Sequence, residues 1–152
     1  VWIANTIERQ DGIWNARGAF LEALKAESPM DEVDIVVPRD EIANFIAYTK
    51  ELEAQFGVRI RSFGHAGDGN MHVYILQDDL EKSVWKEKMD QIMDLMYQRG
   101  KELGGQVSGE HGIGISKKQY LIEDLGDTLI NLQKQIKEVF DPKNILNPGK
   151  LF

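Results

Sequence analysis

The apolar positions change period several times along the chain, and each change marks an element. Trp2, Ile3 and Ile7 stand at helical spacing, and Ile13, Trp14, Phe20, Leu21 and Leu24 continue as one side of a helix over 13–26. Ser28-Pro29 breaks that pattern. A β-branched run over 33–37, closed by Pro38, predicts a strand. Asp40 is the expected cap of a helix to residue 56 with the stripe Ile42, Phe45, Ile46, Leu52 and Phe56, ended by Gly57. Residues 58–63 alternate as a strand does, and after a Gly-rich turn a second strand covers 71–76. Asp78 and Asp79 are the expected caps of a long helix to residue 103. Its stripe of Trp85, Met89, Ile92, Met93 and Met96 reads as core, because methionines at helical spacing fill irregular gaps well. Gly104-Gly105 stops the helix and 106–108 reads as a short strand. A last helix over 128–140 rests on Leu129, Leu132, Ile136, Val139 and Phe140, and an extended tail, DPKNILNPGKLF, follows.

The order over 33–108 is β-α-β-β-α-β. It predicts an α+β fold of the ferredoxin-like kind: an antiparallel sheet with both helices on one face, an added N-terminal helix and a C-terminal helical tail. The 152 residues suit one domain with one core. Residues 1–32 form its helical lead-in, 33–108 its core, and 109–152 a loop, helices and tail. The chain starts without Met and inside a helical pattern, and is expected to be a piece of a longer protein.

Charge and composition narrow the chemistry. Acidic residues outnumber basic ones, 25 to 18, which argues against a nucleic-acid partner. No stretch reaches the roughly 18 apolar residues of a membrane helix, and the first residues do not read as a secretory signal. With no cysteine, disulfides, thiolate metal sites, iron–sulfur ligation and cysteine nucleophiles are all excluded. The same absence fits a reducing compartment, and the expected location is the cytoplasm, including the inner face of its membrane.

Three histidines remain, and all lie in two Gly-rich breaks that also hold eight of the 14 glycines. The first break is GHAGDGNMH at 64–72; the second, 104–114, contains SGEHGIG at 108–114. Three glycines oppose a helix in the first, and Asp68-Gly69 signals a hairpin turn, so His65 and His72 converge at its two ends. The second break supplies Glu110 and His111. In the ferredoxin-like order the two breaks belong to opposite sheet edges, so a twisted sheet or a curled loop has to close the gap. If they meet, His65, His72 and Glu110 form a nitrogen–oxygen set for a divalent cation such as zinc, manganese, iron or cobalt. His111 is then free as a base. Glu110 and His111 share the site only if the chain bends between them, which Gly109 and Gly112 permit.

These segments resemble the C-terminal domain of the FAD-linked oxidases, a family that includes D-lactate dehydrogenase, the glycolate oxidase D subunit and D-2-hydroxyglutarate dehydrogenase. GHAGDGNMH at 64–72, GEHGIG at 109–114 and FDPKNILNPGKLF at 140–152 carry the match, with IWNARGAF at 13–20 and DIVVPRDEI at 34–42 as weaker pieces. The resemblance implies a divalent metal, Zn or Mn/Fe, on His65, His72 and Glu110, with His111 as proton acceptor. It implies that Arg17 binds the substrate carboxylate and that Asn147 returns toward the flavin. The implied cofactor is FAD, held mainly by a separate domain, so the chain alone is expected to be inactive. The implied reaction is oxidation of a small D-2-hydroxy acid. The implied acceptor is an electron-transfer flavoprotein, a quinone or an iron–sulfur subunit. Glu32 departs from D-2-hydroxyglutarate dehydrogenase, which carries Lys at about that place; this favours a smaller acid such as lactate or glycolate. Two rival readings are a non-catalytic ferredoxin-like binding module, with neither metal nor flavin in its parent chain, and a stand-alone metal-dependent hydrolase, active by itself.

Overall fold

The structure is a computed structural model that describes residues 3–151. Trp2 and Phe152, which belong to the first helical pattern and to the tail, lie outside the described residues. The elements are α1 (Ile7–Gly18), α2 (Phe20–Glu27), β1 (Met30–Val36), α3 (Ile42–Phe56), β2 (Ile60–His65), β3 (Asn70–Leu76), α4 (Lys82–Glu102) and α5 (Lys118–Phe140). The fold is α+β, as the alternation of periods predicts. Among the described residues, no helix is long and apolar enough to cross a membrane.

β1, β3 and β2 form an antiparallel sheet in that order, with β3 buried along its whole length at the centre. Period-two alternation gives the sheet two different faces. Val33 and Ile35 of β1 and Met71, Val73 and Ile75 of β3 turn to one face, where they join Phe45 and Leu52 of α3 and Met89, Ile92, Met93 and Met96 of α4 in a single core. α4 comes so close to the sheet that a Cβ on Gly100 would stand 2.3 Å from Ile35 Cδ1. The opposite face carries polar and aromatic groups. There Glu32 pairs with Tyr74, Asp34 with His72, Phe63 with His72, and His65 with Asn70.

Several expectations need correction. The fourth strand, 106–108, is reduced to one bridge between Gln106 and Val36. Beyond it the chain leaves the sheet, because Ser108 and the following backbone turn onto the Asp34 carboxylate. The lead-in is two helices, broken at Ala19, rather than one over 13–26, and Ile13, Trp14 and Phe20 are exposed. Asp40 does not cap α3; a 3-10 turn, Arg39–Glu41, leads into it. Nor do Asp78 and Asp79 cap α4. The Asp78 carboxylate is taken by two bonds from Arg59, and the helix begins at Lys82. The last helix starts at Lys118, ten residues before the expected start at 128, and kinks at Gly126; Leu129, Leu132, Ile136, Val139 and Phe140 are exposed.

Candidate metal and substrate site

The hairpin between β2 and β3 places two imidazoles side by side. His65 pairs with Asn70 and Phe63 with His72, so the sheet's alternation sends His65 and His72 to the same face. Their ring centroids are 5.5 Å apart, nearly perpendicular. His72 is buried, while His65 is about one-third exposed at the rim.

Asp34 closes the gap from the other side. It lies on the same face of β1, with its side chain 1% exposed. Its Oδ2 accepts from Ser108 Oγ at 2.7 Å, from the backbone N–H of Gly109 at 3.1 Å and from that of His111 at 3.0 Å. Lys117 Nζ, also buried, donates to the same oxygen at 3.1 Å and to Ser108 Oγ at 3.3 Å. One carboxylate oxygen thus curls the loop over the end of the sheet. Burial alone would raise the Asp34 pKa, but the bonds from Ser108, His111 and Lys117, with the lysine charge, hold it well below the ordinary carboxylate range. Gly109 is required by close approach, since a Cβ there would stand 2.4 Å from Asn70 Cγ.

The curled loop delivers Glu110 to the histidines. Glu110 Oε1 is 3.0 Å from His72 Nε2 and 3.3 Å from His65 Nε2. Metal bonds of about 2.0–2.2 Å put neighbouring ligand atoms about 3 Å apart, so this spacing suits one cation held by all three. The donor chemistry fits as well: a neutral imidazole between two carboxylates can donate to only one of them. His72 Nδ1 lies 3.0 Å from Glu32 Oε1 while its Nε2 faces Glu110, and a cation would occupy the second contact. A second possible set, Glu32, His72 and His111, overlaps the first at His72.

His111 stacks on His72, with centroids 4.8 Å apart and planes at 21°. Both border a cavity of about 330 Å³ that Arg17 also lines, with Phe20, Leu21 and Phe63 as its apolar wall. Phe63 stacks on Tyr74 at 4.9 Å, and Phe20 tilts against Phe63 at 6.0 Å. Arg17, His65, His72 and His111 therefore line one cavity, with Glu110 beside the histidines. Asn147 is elsewhere, in a groove with Gly114, Ile136, Phe140 and Leu151. The arrangement could hold a divalent cation, bind an anionic substrate group and accept a proton.

Sequence reasoning missed Asp34, Lys117 and Tyr74, and read Glu32 only as a departure. A signal existed for two of them: Glu32 and Asp34 alternate with Val33 and Ile35, which marks an acidic face on an otherwise apolar strand.

The family described as FAD linked oxidases, C-terminal domain, matches residues 1–151. A D-lactate dehydrogenase of Anaerostipes hadrus is 47% identical over 99% of the chain, and the Glycolate oxidase subunit GlcD of Bacillus subtilis is 39% identical over all of it. A D-2-hydroxyglutarate dehydrogenase of Xanthomonas citri is 34% identical over 99% of the chain. The matches cover 32%, 32% and 34% of these relatives, so the chain spans about a third of their length. With a family match running through both histidine-bearing breaks and the tail, the chain belongs to the FAD-linked oxidases, as their C-terminal domain.

Proposed function

We propose that the chain is the catalytic cap of a flavin-dependent dehydrogenase that oxidises a small D-2-hydroxy acid, of lactate or glycolate type, to the 2-oxo acid. The observation that carries this reading is the meeting of His65, His72 and Glu110 beside His111, in a cavity that Arg17 shares. The names of two relatives, a D-lactate dehydrogenase and a glycolate oxidase subunit, support the substrate class. Among the described residues that line the cavity, Arg17 is the one permanently cationic side chain, and Glu32 is anionic. That balance suits an acid with a single carboxylate.

His65, His72 and Glu110 would hold the divalent cation. When bound, the cation supplies Lewis-acid polarisation of the substrate hydroxyl, and the flavin, carried by a further part of the parent protein, supplies the hydride acceptor. The chain's own residues do the rest. Arg17 binds the carboxylate and orients the acid. His111 accepts the hydroxyl proton; the O–H electron pair forms the C=O as the carbinol hydrogen leaves as hydride with the C–H electron pair. Phe20 and Phe63 give the cavity its apolar wall.

The test is turnover of the full-length parent protein with D-lactate and glycolate, alongside its His65→Ala and His111→Ala variants and metal analysis. The reading expects a bound divalent metal and losses of at least about a hundredfold, the usual contribution of a positioned acid or base. Normal turnover in both variants would remove it.

A further inference from the structure

One carboxylate oxygen on β1 lies close to the Nδ1 atoms of two imidazoles, His72 and His111. Glu32 Oε1 lies 3.0 Å from His72 Nδ1 and 3.5 Å from His111 Nδ1. Tyr74 Oη donates to the same oxygen at 3.0 Å. The sheet register explains the meeting: Glu32 and Tyr74 are direct cross-strand partners, and His72 is two residues from Tyr74 on the same face. The His72 Nδ1 is buried and lacks an aligned hydrogen bond, and Glu32 Oε1 is its nearest acceptor.

A carboxylate oxygen only accepts. An imidazole nitrogen facing it at this range is stable with a proton on it and repelled without one. We infer that Glu32 is a positioning residue that fixes the Nδ1–H tautomer of both His72 and His111 through the single oxygen Oε1. Nε2 of His72 is thereby left to a cation, and Nε2 of His111 to a substrate proton. The two roles are coupled, because the stacked rings share one acceptor. Tyr74 keeps that acceptor in place. The inference rests on the metal reading of His65, His72 and Glu110 for its consequence, though the tautomers can be read without metal.

The experiment is long-range ¹H–¹⁵N correlation of ring nitrogens in histidine-labelled protein at about pH 8, above the ordinary imidazole pKa of about 6.5. It is run with and without zinc, with zinc affinity measured by titration. Wild type, Glu32→Gln and Glu32→Leu are compared, with circular dichroism to confirm folding. Wild type is expected to carry protons on Nδ1 of His72 and His111 in both conditions. Glu32→Leu is expected to lose that preference and to weaken zinc binding 10–100-fold, the usual effect of removing such an outer partner. Glu32→Gln, which is isosteric and decides the matter if the leucine variant fails to fold, is expected to lose about tenfold, the low end of that range. Wild-type rings protonated on Nε2, or on both nitrogens, overturn the inference. So do ring patterns and zinc affinities unchanged in folded variants. If wild type binds no zinc, the metal reading fails by itself, and the zinc-free ring pattern still decides the role of Glu32.

Discussion

The backbone N–H of His111 donates to Asp34 Oδ2 at 3.0 Å, across 77 positions of sequence. The same oxygen holds Ser108, Gly109 and Lys117. This carboxylate, buried behind the histidines, is what keeps the second histidine break over the first. Asp34→Ala should therefore damage stability and site together. It leaves Lys117 buried and unpaired, a change that costs about 3–5 kcal/mol. Urea unfolding should show a midpoint shift of that size, and a shift under about 1 kcal/mol would deny Asp34 its anchoring role.

The same residue predicts a pH dependence. Its folded pKa is depressed below the ordinary value of about 3.9. Its contribution is therefore fully present above the unfolded pKa and is lost as pH falls toward the folded one. Wild type and Asp34→Asn should differ most in stability near pH 7, and the difference should shrink steadily below about pH 4 to 5. A difference that grew on acidification would have the wrong sign.

Gly109→Ala puts a methyl against the Asn70 side chain at 2.4 Å, where Asn70 is itself buried. Overpacking of this kind costs about 1–3 kcal/mol. Because the residue adjoins Glu110, zinc affinity should fall in parallel with thermal stability. Gly67→Ala, where nothing stands within 4 Å of the new methyl, is the matched control.

Arg17 makes a separable prediction. It lies on the exposed lead-in helix α1 and reaches the shared cavity. Arg17→Ala in the full-length protein should lower kcat/KM for D-lactate about 10- to 150-fold, the worth of a charged hydrogen bond of about 1.5–3 kcal/mol, and leave the melting temperature unchanged. Unaltered kcat/KM would take Arg17 out of the site.

What was legible in the chain follows a physical divide. The hairpin histidines could be placed because strand parity and a turn signal are local: given Asp68-Gly69, His65 and His72 must share a face. The helices that carry core stripes, α3 and α4, could be read for the same reason. Lys117 could not. Its meaning comes from a partner 83 positions away, and nothing in its neighbourhood of sequence marks it. The exposed stripes of α1 and α5 show the converse limit. Their periodicity predicts helices correctly, but the faces it marks are uncovered among the described residues, since period alone does not say what lies opposite. Asp78 shows local preference losing to tertiary pairing, its capping chemistry taken by Arg59.

The most direct measurement is anomalous diffraction from crystals of the protein grown with zinc. The expected result is one peak bounded by His65 Nε2, His72 Nε2 and Glu110 Oε1, with His111 outside the coordination shell. A peak bounded instead by Glu32, His72 and His111, or no peak at this face of the sheet, would contradict the assignment of two histidines to the metal and the third to the proton.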